Sequence, residues 1–486
     1  MSKDHADAKD LSSAVQAILP ALDEFNKYNG VDETGRNHTE WKKALDKSLP
    51  ETGEGLDAVV KDLQEVFIPN GLRNGMPGFS GWVTTAPTTS GVIANLAGTV
   101  AGSQRWWVQP FNFIESVALR WLAELLGLPS TWQGTFNSGG SIANLIGLGV
   151  ARQLAFEQAG VDPARDGIPS GIRWRIYASE QVHHVVNRAA AVLGLGRKSV
   201  VPIGVDRDYR IDLKELQTAL ASDQRENIRP IAIVATAGTV NTGAIDPIAQ
   251  MADLAEEYRT WLHVDGAYGG FGLLDERVSP LYDGLNRAHS FAVDPHKWLA
   301  APVGCGATFV HDRALMGRAF TLEPAEYLEG AASEGEINST FDSFGDLFHD
   351  FNLEQSAPSR GVQVWAILKE IGAAGMRARV VRHNNFARRV EQLARDDEHL
   401  EVLSSAVLSI CCFRYVVQGK TEDQLNALNS EIAKQLRSEG KYVPSTTVLG
   451  GKFATRPCYI NPRTTEADVD GMVERVRQIG DDLSRI

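Results

Sequence analysis

The chain has 486 residues, of which 43% are hydrophobic and 22% charged, and its formal net charge is −13. This balance is typical of a globular protein and excludes a disordered or collagen-like chain. The negative charge argues against nucleic acid or an anionic membrane as a partner. No stretch reaches the ~18 consecutive apolar residues of a membrane span, and no secretory signal is recognisable at the start, so we expect a cytoplasmic protein.

The first predicted element in chain order is a helical arm over residues 1–80. Apolar residues recur at helical spacing around Leu11 and again around Leu56. A helical segment of this size buries little surface alone. We therefore expect the arm to pack on the main body of the protein or on a second subunit.

Residues 81–370 are predicted to form an α/β domain with a mainly parallel sheet. Helical patterns alternate there with short β-rich runs at 172–178, 199–203, 231–235, 261–264, 292–293 and 307–310. Such alternation is typical of parallel sheets, in which ligands bind beyond the carboxyl ends of the strands. Residues 371–486 are predicted to form a small α+β domain, with a helix at 373–394 and strands at 407–417 and 455–460.

A glycine-rich turn is the first candidate functional motif. The segment Ser138-Gly-Gly-Ser-Ile-Ala-Asn leads into an apolar helical run. Glycines let the backbone turn tightly, and a helix start offers N–H groups and a favourable dipole to an anion. The motif predicts a phosphate cradle at Gly140 and Ser141, although a plain glycine turn before a helix would have the same sequence.

Two further motifs supply charged groups. Asp265, in His263-Val-Asp-Gly-Ala-Tyr-Gly-Gly, ends a predicted strand and could hold a cationic ring nitrogen, or could simply cap a turn. Lys297, in Asp294-Pro-His-Lys-Trp, follows an apolar run. Apolar walls disfavour the charged form of a lysine and leave an amine that can attack a carbonyl, whereas the alternative is a surface lysine. A phosphate cradle, a strand-end carboxylate and such a lysine together are what pyridoxal 5'-phosphate needs.

These motifs resemble those of the group II pyridoxal-phosphate-dependent amino-acid decarboxylases, which include aromatic-L-amino-acid and glutamate decarboxylases. The segments Ser179-Glu-Gln-Val-His-His-Val-Val-Asn-Arg-Ala and Ala235-Thr-Ala-Gly-Thr are similar to that family as well. The resemblance runs from about residue 60 to the end. It implies an α/β fold of the aspartate-aminotransferase type (fold type I) and a homodimer whose active sites lie at the subunit interface.

The resemblance also implies a role for each matching residue. Lys297 would form a Schiff base with the cofactor, Asp265 would keep its pyridine nitrogen protonated, and His183 would stack on its ring. The further cofactor contacts that it implies are Gly140, Ser141, Thr236, Ala267, Asp294 and His296. Asp294 departs from the asparagine of animal relatives, and a carboxylate beside a phosphate dianion is unfavourable unless it is turned away or protonated.

By resemblance, the reaction is the decarboxylation of an L-amino acid to an amine and CO2. Trp82 and Trp107 lie where the family builds its side-chain pocket, and aromatic walls favour an aromatic substrate. Glutamate is the alternative substrate, since Arg105 belongs to the same cluster. A phosphosphingoid-type carbon–carbon lyase of the same fold is a further alternative, which the complete Asp-Pro-His-Lys-Trp motif disfavours.

The sequence offers two alternatives for the fate of the product carbon. In animal-type members of the family, a loop tyrosine has this role, and a gapless count back from Trp365 places Phe348 there. No tyrosine occurs from residue 328 to residue 414. Either a neighbour such as His349 donates the proton, or oxygen attacks the carbanion and the enzyme is an aldehyde synthase.

Other chemistries fit less well. The G-x-G at Gly194 lacks the third glycine of a dinucleotide site. His183 and His184 are adjacent, so we expect their side chains to point apart, and we predict no metal site. A binding protein without catalytic activity would be expected to lack Lys297 or Asp265, and both are present.

Overall fold

The computed structural model describes residues 10–27, 38–102, 109–320 and 348–485. Numbered β1 to β12 in chain order, the strands are Phe79–Ser80, Gln133–Asn137, Trp174–Ser179, Val200–Ile203, Arg229–Thr236, Trp261–Asp265, Ser290–Val293, Gly306–Val310, Leu400–Ser404, Cys412–Tyr415, Val443–Leu449 and Lys452–Arg456. The α-helices are Asp10–Phe25, His38–Leu45, Leu56–Asp62, Thr89–Ala101, Gln109–Leu125, Gly140–Glu157, Val185–Val192, Leu213–Arg225, Ile248–Glu257, Arg313–Phe320, Arg360–Arg395, Glu422–Glu439 and Glu466–Ser484. None of the described helices combines the length and the apolar character needed to cross a membrane.

The larger sheet has seven strands in the order β2-β8-β7-β6-β5-β3-β4. The neighbouring strands β4, β3, β5, β6 and β7 run parallel to one another, and β8 runs antiparallel to both of its neighbours. Along β5, Ile233 and Ala235 belong to one core cluster, and Ala232 and Val234 belong to another. A sheet covered on both faces needs strands that are apolar on both faces, which is why these strands have near-continuous apolar sequences.

The strand register brings the predicted site residues to one edge of this sheet. Thr236, the last residue of β5, pairs with Asp265, the last residue of β6, and Asp265 pairs with Ala292 of β7. Asp294 directly follows β7. The carboxyl ends of the central strands therefore converge, as the parallel topology requires.

The smaller sheet has five strands in the order β1-β11-β12-β10-β9. Strand β1 comes from the N-terminal part of the chain and pairs in parallel with β11, where Phe79 lies opposite Val443. The Asn461 side chain also donates a hydrogen bond to the Met76 carbonyl, at 2.8 Å. The end of the predicted N-terminal arm is thus joined to the C-terminal sheet.

Several predicted element bounds differ from the structure. The helix predicted at 373–394 is part of a longer element, Arg360–Arg395, in which Gly372 breaks the helical geometry with φ 65° and ψ 174°. The strands predicted at 407–417 and 455–460 are Cys412–Tyr415 and Lys452–Arg456. Strands β9 and β11 were not predicted. The β11 sequence is rich in hydroxyl side chains and contains a proline, and it becomes a strand through pairing with β1 and β12.

Candidate active site

A cavity of about 310 Å³ lies at the carboxyl edge of the seven-stranded sheet. Its walls come from strand ends and from the loops that follow them. The lining includes all nine residues predicted to contact the cofactor, namely Gly140, Ser141, His183, Thr236, Asp265, Ala267, Asp294, His296 and Lys297. Motifs that are distant in the sequence therefore meet around one space.

The glycine-rich turn forms a narrow cradle at the start of the helix Gly140–Glu157. Gly139 has φ 125°, which L side chains rarely adopt, and a Cβ on Gly140 would lie 2.8 Å from Asp294 Oδ2 and 3.1 Å from Ala267 Cβ. Among the described residues, no side chain caps this helix N-terminus. The backbone N–H groups and the helix dipole there suit an anion such as a phosphate.

Asp265 and Thr236 face the cavity from neighbouring strand ends. The Asp265 side chain is buried, and its Oδ1 accepts a hydrogen bond from the Ala267 N–H at 3.0 Å. The Thr236 hydroxyl is also buried, and within the described part of the chain it has no hydrogen-bond partner. Buried hydroxyls are nearly always hydrogen-bonded, so this one is suited to a bound ligand. A buried carboxylate favours the protonated form of a ring nitrogen beside it.

Lys297 lies beside a carboxylate, which corrects the prediction that its surroundings are apolar. Its Nζ lies 3.0 Å from Asp294 Oδ2, and its side chain is 19% exposed. His296 Nε2 lies 3.8 Å from the same oxygen, while its Nδ1–H donates to the Cys305 carbonyl at 2.7 Å. Asp294 is buried against the Gly140 cradle, and Lys297 is the cation closest to its negative charge among these neighbours.

His183 is held at the cavity wall with its Nδ1 accepting a hydrogen bond from the Val185 N–H, at 3.3 Å. Burial lowers the pKa of His183; His184 and Lys297 also lower it, while Asp265 and Asp294 oppose the shift. A neutral imidazole with a fixed ring is therefore favoured here.

The prediction that His183 and His184 point apart is wrong, since their ring centroids lie 4.2 Å apart. Both residues lie in the turn before the helix Val185–Val192, where the alternation of a regular element does not apply. Within the described residues, no group of three or more His, Cys, Asp or Glu side chains could hold a metal ion.

The residues predicted to contact the substrate or to act in the loop near the product carbon do not line the Lys297 cavity where the structure describes their side chains. Trp82 is 57% exposed and lines a separate cavity of about 150 Å³. Phe348 is buried in the short 3-10 helix Phe348–Phe351 and lines a third cavity with Trp132. Neither side chain lines the Lys297 cavity. Trp107 and the side chain of His349 lie outside what the structure describes.

Local contacts explain these positions. The Trp82 backbone is held by Arg456, whose side chain donates to the Trp82 carbonyl at 2.7 Å. Phe348 is buried beside Trp132 and Phe309, so its apolar side chain is removed from water. One chain by itself therefore does not bring Trp82 or Phe348 to Lys297.

Among the residues that line the Lys297 cavity and that sequence reasoning missed are Asn144, Tyr268 and Val303. Asn144 could have been found, because it follows Gly140 by four residues in a helix and so lies on the same face. Tyr268 lies in the Asp265 motif and stacks on Trp298, with ring centroids 5.5 Å apart. Val303 is 74% exposed and has no comparable signal in the sequence.

The chain is similar to known proteins over most of its length. The family model described as the pyridoxal-dependent decarboxylase conserved domain matches residues 39–416. An aromatic-L-amino-acid decarboxylase from Bacillus atrophaeus is 30% identical over 477 residues, which cover 96% of this chain and 95% of that protein.

Solved structures share the fold. The crystal structure of Oryza sativa TDC with PLP and tryptamine has a TM-score of 0.90 at 24% identity and covers 99% of this chain and 100% of that chain. The crystal structure of Rhodiola rosea 4-hydroxyphenylacetaldehyde synthase has a TM-score of 0.85 at 20% identity and covers 98% of this chain and 99% of that chain.

Proposed function

Because the chain belongs to the pyridoxal-dependent decarboxylase family, we propose that it converts an aromatic L-amino acid to the corresponding amine and CO2. The predicted family, the fold type I architecture, the pyridoxal phosphate cofactor and amino-acid decarboxylation are confirmed by this membership and by the shared fold. The observation that carries the proposal is the single cavity that joins Lys297, Asp265 and His183 to the Gly140 cradle.

The residues around this cavity fit the cofactor. Lys297 would bind it covalently, and the backbone at Gly140 and Ser141 would hold its phosphate. Asp265 would keep a proton on the ring nitrogen, because its negative charge opposes the preference of a buried site for the neutral form. When bound, pyridoxal phosphate supplies a conjugated ring that accepts the electron pair released as CO2 departs.

The remaining contacts would orient the reacting groups. His183 and Ala267 would cover the two faces of the ring, and the Thr236 hydroxyl would gain the partner that it lacks among the described residues. Asp294 Oδ2, at 3.0 Å from Lys297 Nζ, would help to orient that amine. His296 Nε2, on the other side of the same carboxylate, would contact the phosphate or the substrate.

An aromatic substrate is supported by the relatives and by the cavity. The Bacillus atrophaeus relative is an aromatic-L-amino-acid decarboxylase, and the Oryza sativa structure contains tryptamine. No arginine is among the described residues that line the Lys297 cavity, whereas an acidic substrate side chain needs a cation. Trp82 and Trp107 are proposed substrate contacts. A second subunit would have to help bring them to the Lys297 cavity.

We propose a homodimer, because an exposed apolar surface adjoins the cavity. The helix Thr89–Ala101 exposes a row of apolar side chains, namely Val92, Ile93, Leu96 and Val100. On its inner side, a Cβ on Gly91 would lie 2.9 Å from Pro302, which precedes the cavity residue Val303. Exposed apolar surfaces of this kind are typical of protein interfaces. A second copy covering this face would lie on the helix that packs beside the cavity wall at Val303.

Ile93→Asp tests this dimer, with Val448→Asp as a control, since the two side chains are 60% and 58% exposed. We expect the wild type and the control to have twice the 52.9 kDa chain mass in light scattering. Ile93→Asp should shift the protein towards the monomer and lower its activity, because a charge would be buried in the interface. A dimeric and fully active Ile93→Asp protein would contradict the proposal.

One assay tests the substrate and the product together. The twenty amino acids are screened for CO2 release in air, and amine and hydrogen peroxide are measured separately. We expect CO2 release from aromatic amino acids, with amine formed in proportion to CO2. We also propose that the protein is located in the cytoplasm. Glutamate as the only substrate would contradict the proposal. Peroxide in proportion to CO2, reduced by Phe348→Tyr, would instead establish the aldehyde synthase.

A further inference from the structure

A buried row of hydrogen bonds connects the core of the sheet to the phosphate cradle. Trp261 Nε1 lies 2.7 Å from Ser290 Oγ, and Ser290 Oγ lies 2.7 Å from His263 Nδ1. His263 Nε2 lies 2.9 Å from Asn144 Oδ1, and Asn144 Nδ2 donates to the Gly140 carbonyl at 2.8 Å. All four side chains are at most 3% exposed. Of the residues in this row, only Asn144 and Gly140 line the cavity, so His263 does not touch a ligand there.

The groups at the two ends of this row limit which atoms donate and which atoms accept each hydrogen bond. The Trp261 indole can only donate, so Ser290 accepts that bond and its own proton is available for His263 Nδ1. The Gly140 carbonyl can only accept, so the Asn144 amide group faces Gly140 and its oxygen faces His263. His263 then carries a proton on Nε2, and in the neutral ring Nδ1 accepts the proton of Ser290. Burial, opposed by the charge of Asp265, lowers the pKa of His263 to about 4, which agrees with a neutral ring at physiological pH.

The same ring also contacts the helix that forms the cradle. A Cβ on Gly147 would lie 2.6 Å from His263 Cε1 and 3.2 Å from Ser290 Oγ. A side chain at this position would push the helix Gly140–Glu157 away from the sheet. His263 therefore packs against the second turn of the helix and is linked through Asn144 to its first residue.

We propose that His263 is a positioning residue for the phosphate of the cofactor: through Asn144 it holds the Gly140 end of the helix towards that phosphate. The proposal rests on the family's cofactor and is independent of the substrate proposed above. Groups that lie behind a ligating residue orient it, and in metal sites their loss typically weakens binding by roughly 10–100-fold. We expect an effect of similar size here, confined to the phosphate.

The test compares the binding of pyridoxal phosphate and of pyridoxal to the apoenzyme, because the two ligands differ only in the phosphate. In Asn144→Ala and His263→Leu, we expect the affinity ratio of the two ligands to fall by roughly 10–100-fold. His263→Gln can still donate to Asn144, so it should restore most of the ratio. A role in general stability would change both affinities alike and leave the ratio unchanged.

Asn429→Ala is a matched control. Asn429 is also buried, donates to the carbonyl four residues earlier, Leu425, at 2.9 Å, and accepts from the Tyr415 N–H at 2.8 Å. It lies in the helix Glu422–Glu439 and not at the cavity. Its loss should lower the melting temperature without changing the affinity ratio.

A folded Asn144→Ala protein with the wild-type ratio would overturn the proposal. If His263→Leu does not fold, Asn144→Ala and His263→Gln decide the question by the same measurement. A wild type that binds pyridoxal phosphate but releases no CO2 from aromatic amino acids would contradict only the proposed substrate, so the two failures are distinguishable.

Discussion

On the cofactor side of the cavity, nine predicted residues converge within one chain, whereas on the substrate side Trp82 and Phe348 line two other cavities. The cofactor side is built from strand ends and one helix start, whose relative positions are determined by the register of the buried sheet. The substrate side depends on loops and, as we propose, on a second subunit. Changes on the cofactor side should therefore affect every substrate alike, and changes on the substrate side should affect substrates selectively.

The largest effect is expected on the cofactor side, for Lys297→Ala. Decarboxylation should fall by several orders of magnitude for every amino acid, because the covalent nucleophile is lost. Borohydride should no longer fix the cofactor to the protein. Lys369→Ala, the loss of an exposed lysine above the Trp365 ring, is the control and should retain both properties. Near-native turnover by Lys297→Ala would refute the assigned role of this residue.

Asp265→Asn should have the next largest effect, a roughly thousandfold decrease in kcat. The asparagine oxygen can still accept the Ala267 N–H, so the fold and the cofactor should be retained while the negative charge is lost. The absorption spectrum and kcat are measured together, and Asp212→Asn, at the N-cap of the helix Leu213–Arg225, serves as the control. A kcat unchanged in Asp265→Asn would show that the charge is not needed.

The stability of the cofactor side should depend on pH through His263. Burial lowers its pKa from 6.5 to about 4 in the folded protein. Between these values the unfolded chain binds the extra proton, so stability is fully present above pH 6.5 and is lost as the pH falls towards 4. The difference is worth about 3 kcal/mol.

Urea unfolding at pH 7.5 and pH 4.5 checks this dependence. The free energy of unfolding should fall with pH less steeply in His263→Gln than in the wild type. His399→Gln, the loss of a partly exposed histidine, should leave the wild-type slope. Equal slopes in all three proteins would contradict the neutral His263.

The smallest effect is expected on the substrate side, for Trp82→Ala. Aromatic stacking contributes ~0.5–1.5 kcal/mol, so KM for an aromatic substrate should rise by roughly two- to tenfold, with little change in kcat. Trp82→Phe keeps an aromatic ring and should lie closer to the wild type. If Trp82→Ala lowered kcat for all substrates alike, the proposed difference between the two sides would be wrong.

The sequence by itself determined the cofactor chemistry of this protein. The glycine turn, the strand-end Asp265 and the Lys297 motif are short, and each sets its own local backbone geometry. The alternation of strands with crossovers then placed them at one edge of a parallel sheet. Local patterns of this kind can be read without knowing which distant residues they will meet.

Only the tertiary structure decided which side chains share hydrogen bonds and space. The pairing of Lys297 with Asp294, the contact between the His183 and His184 rings, and strand β11 depend on turn geometry, strand register and packing. The link from His263 to Asn144 joins residues 119 positions apart. Hydrogen bonds require atoms to lie within about 3 Å of each other, and residue type and spacing do not define distances between segments that are remote in the chain.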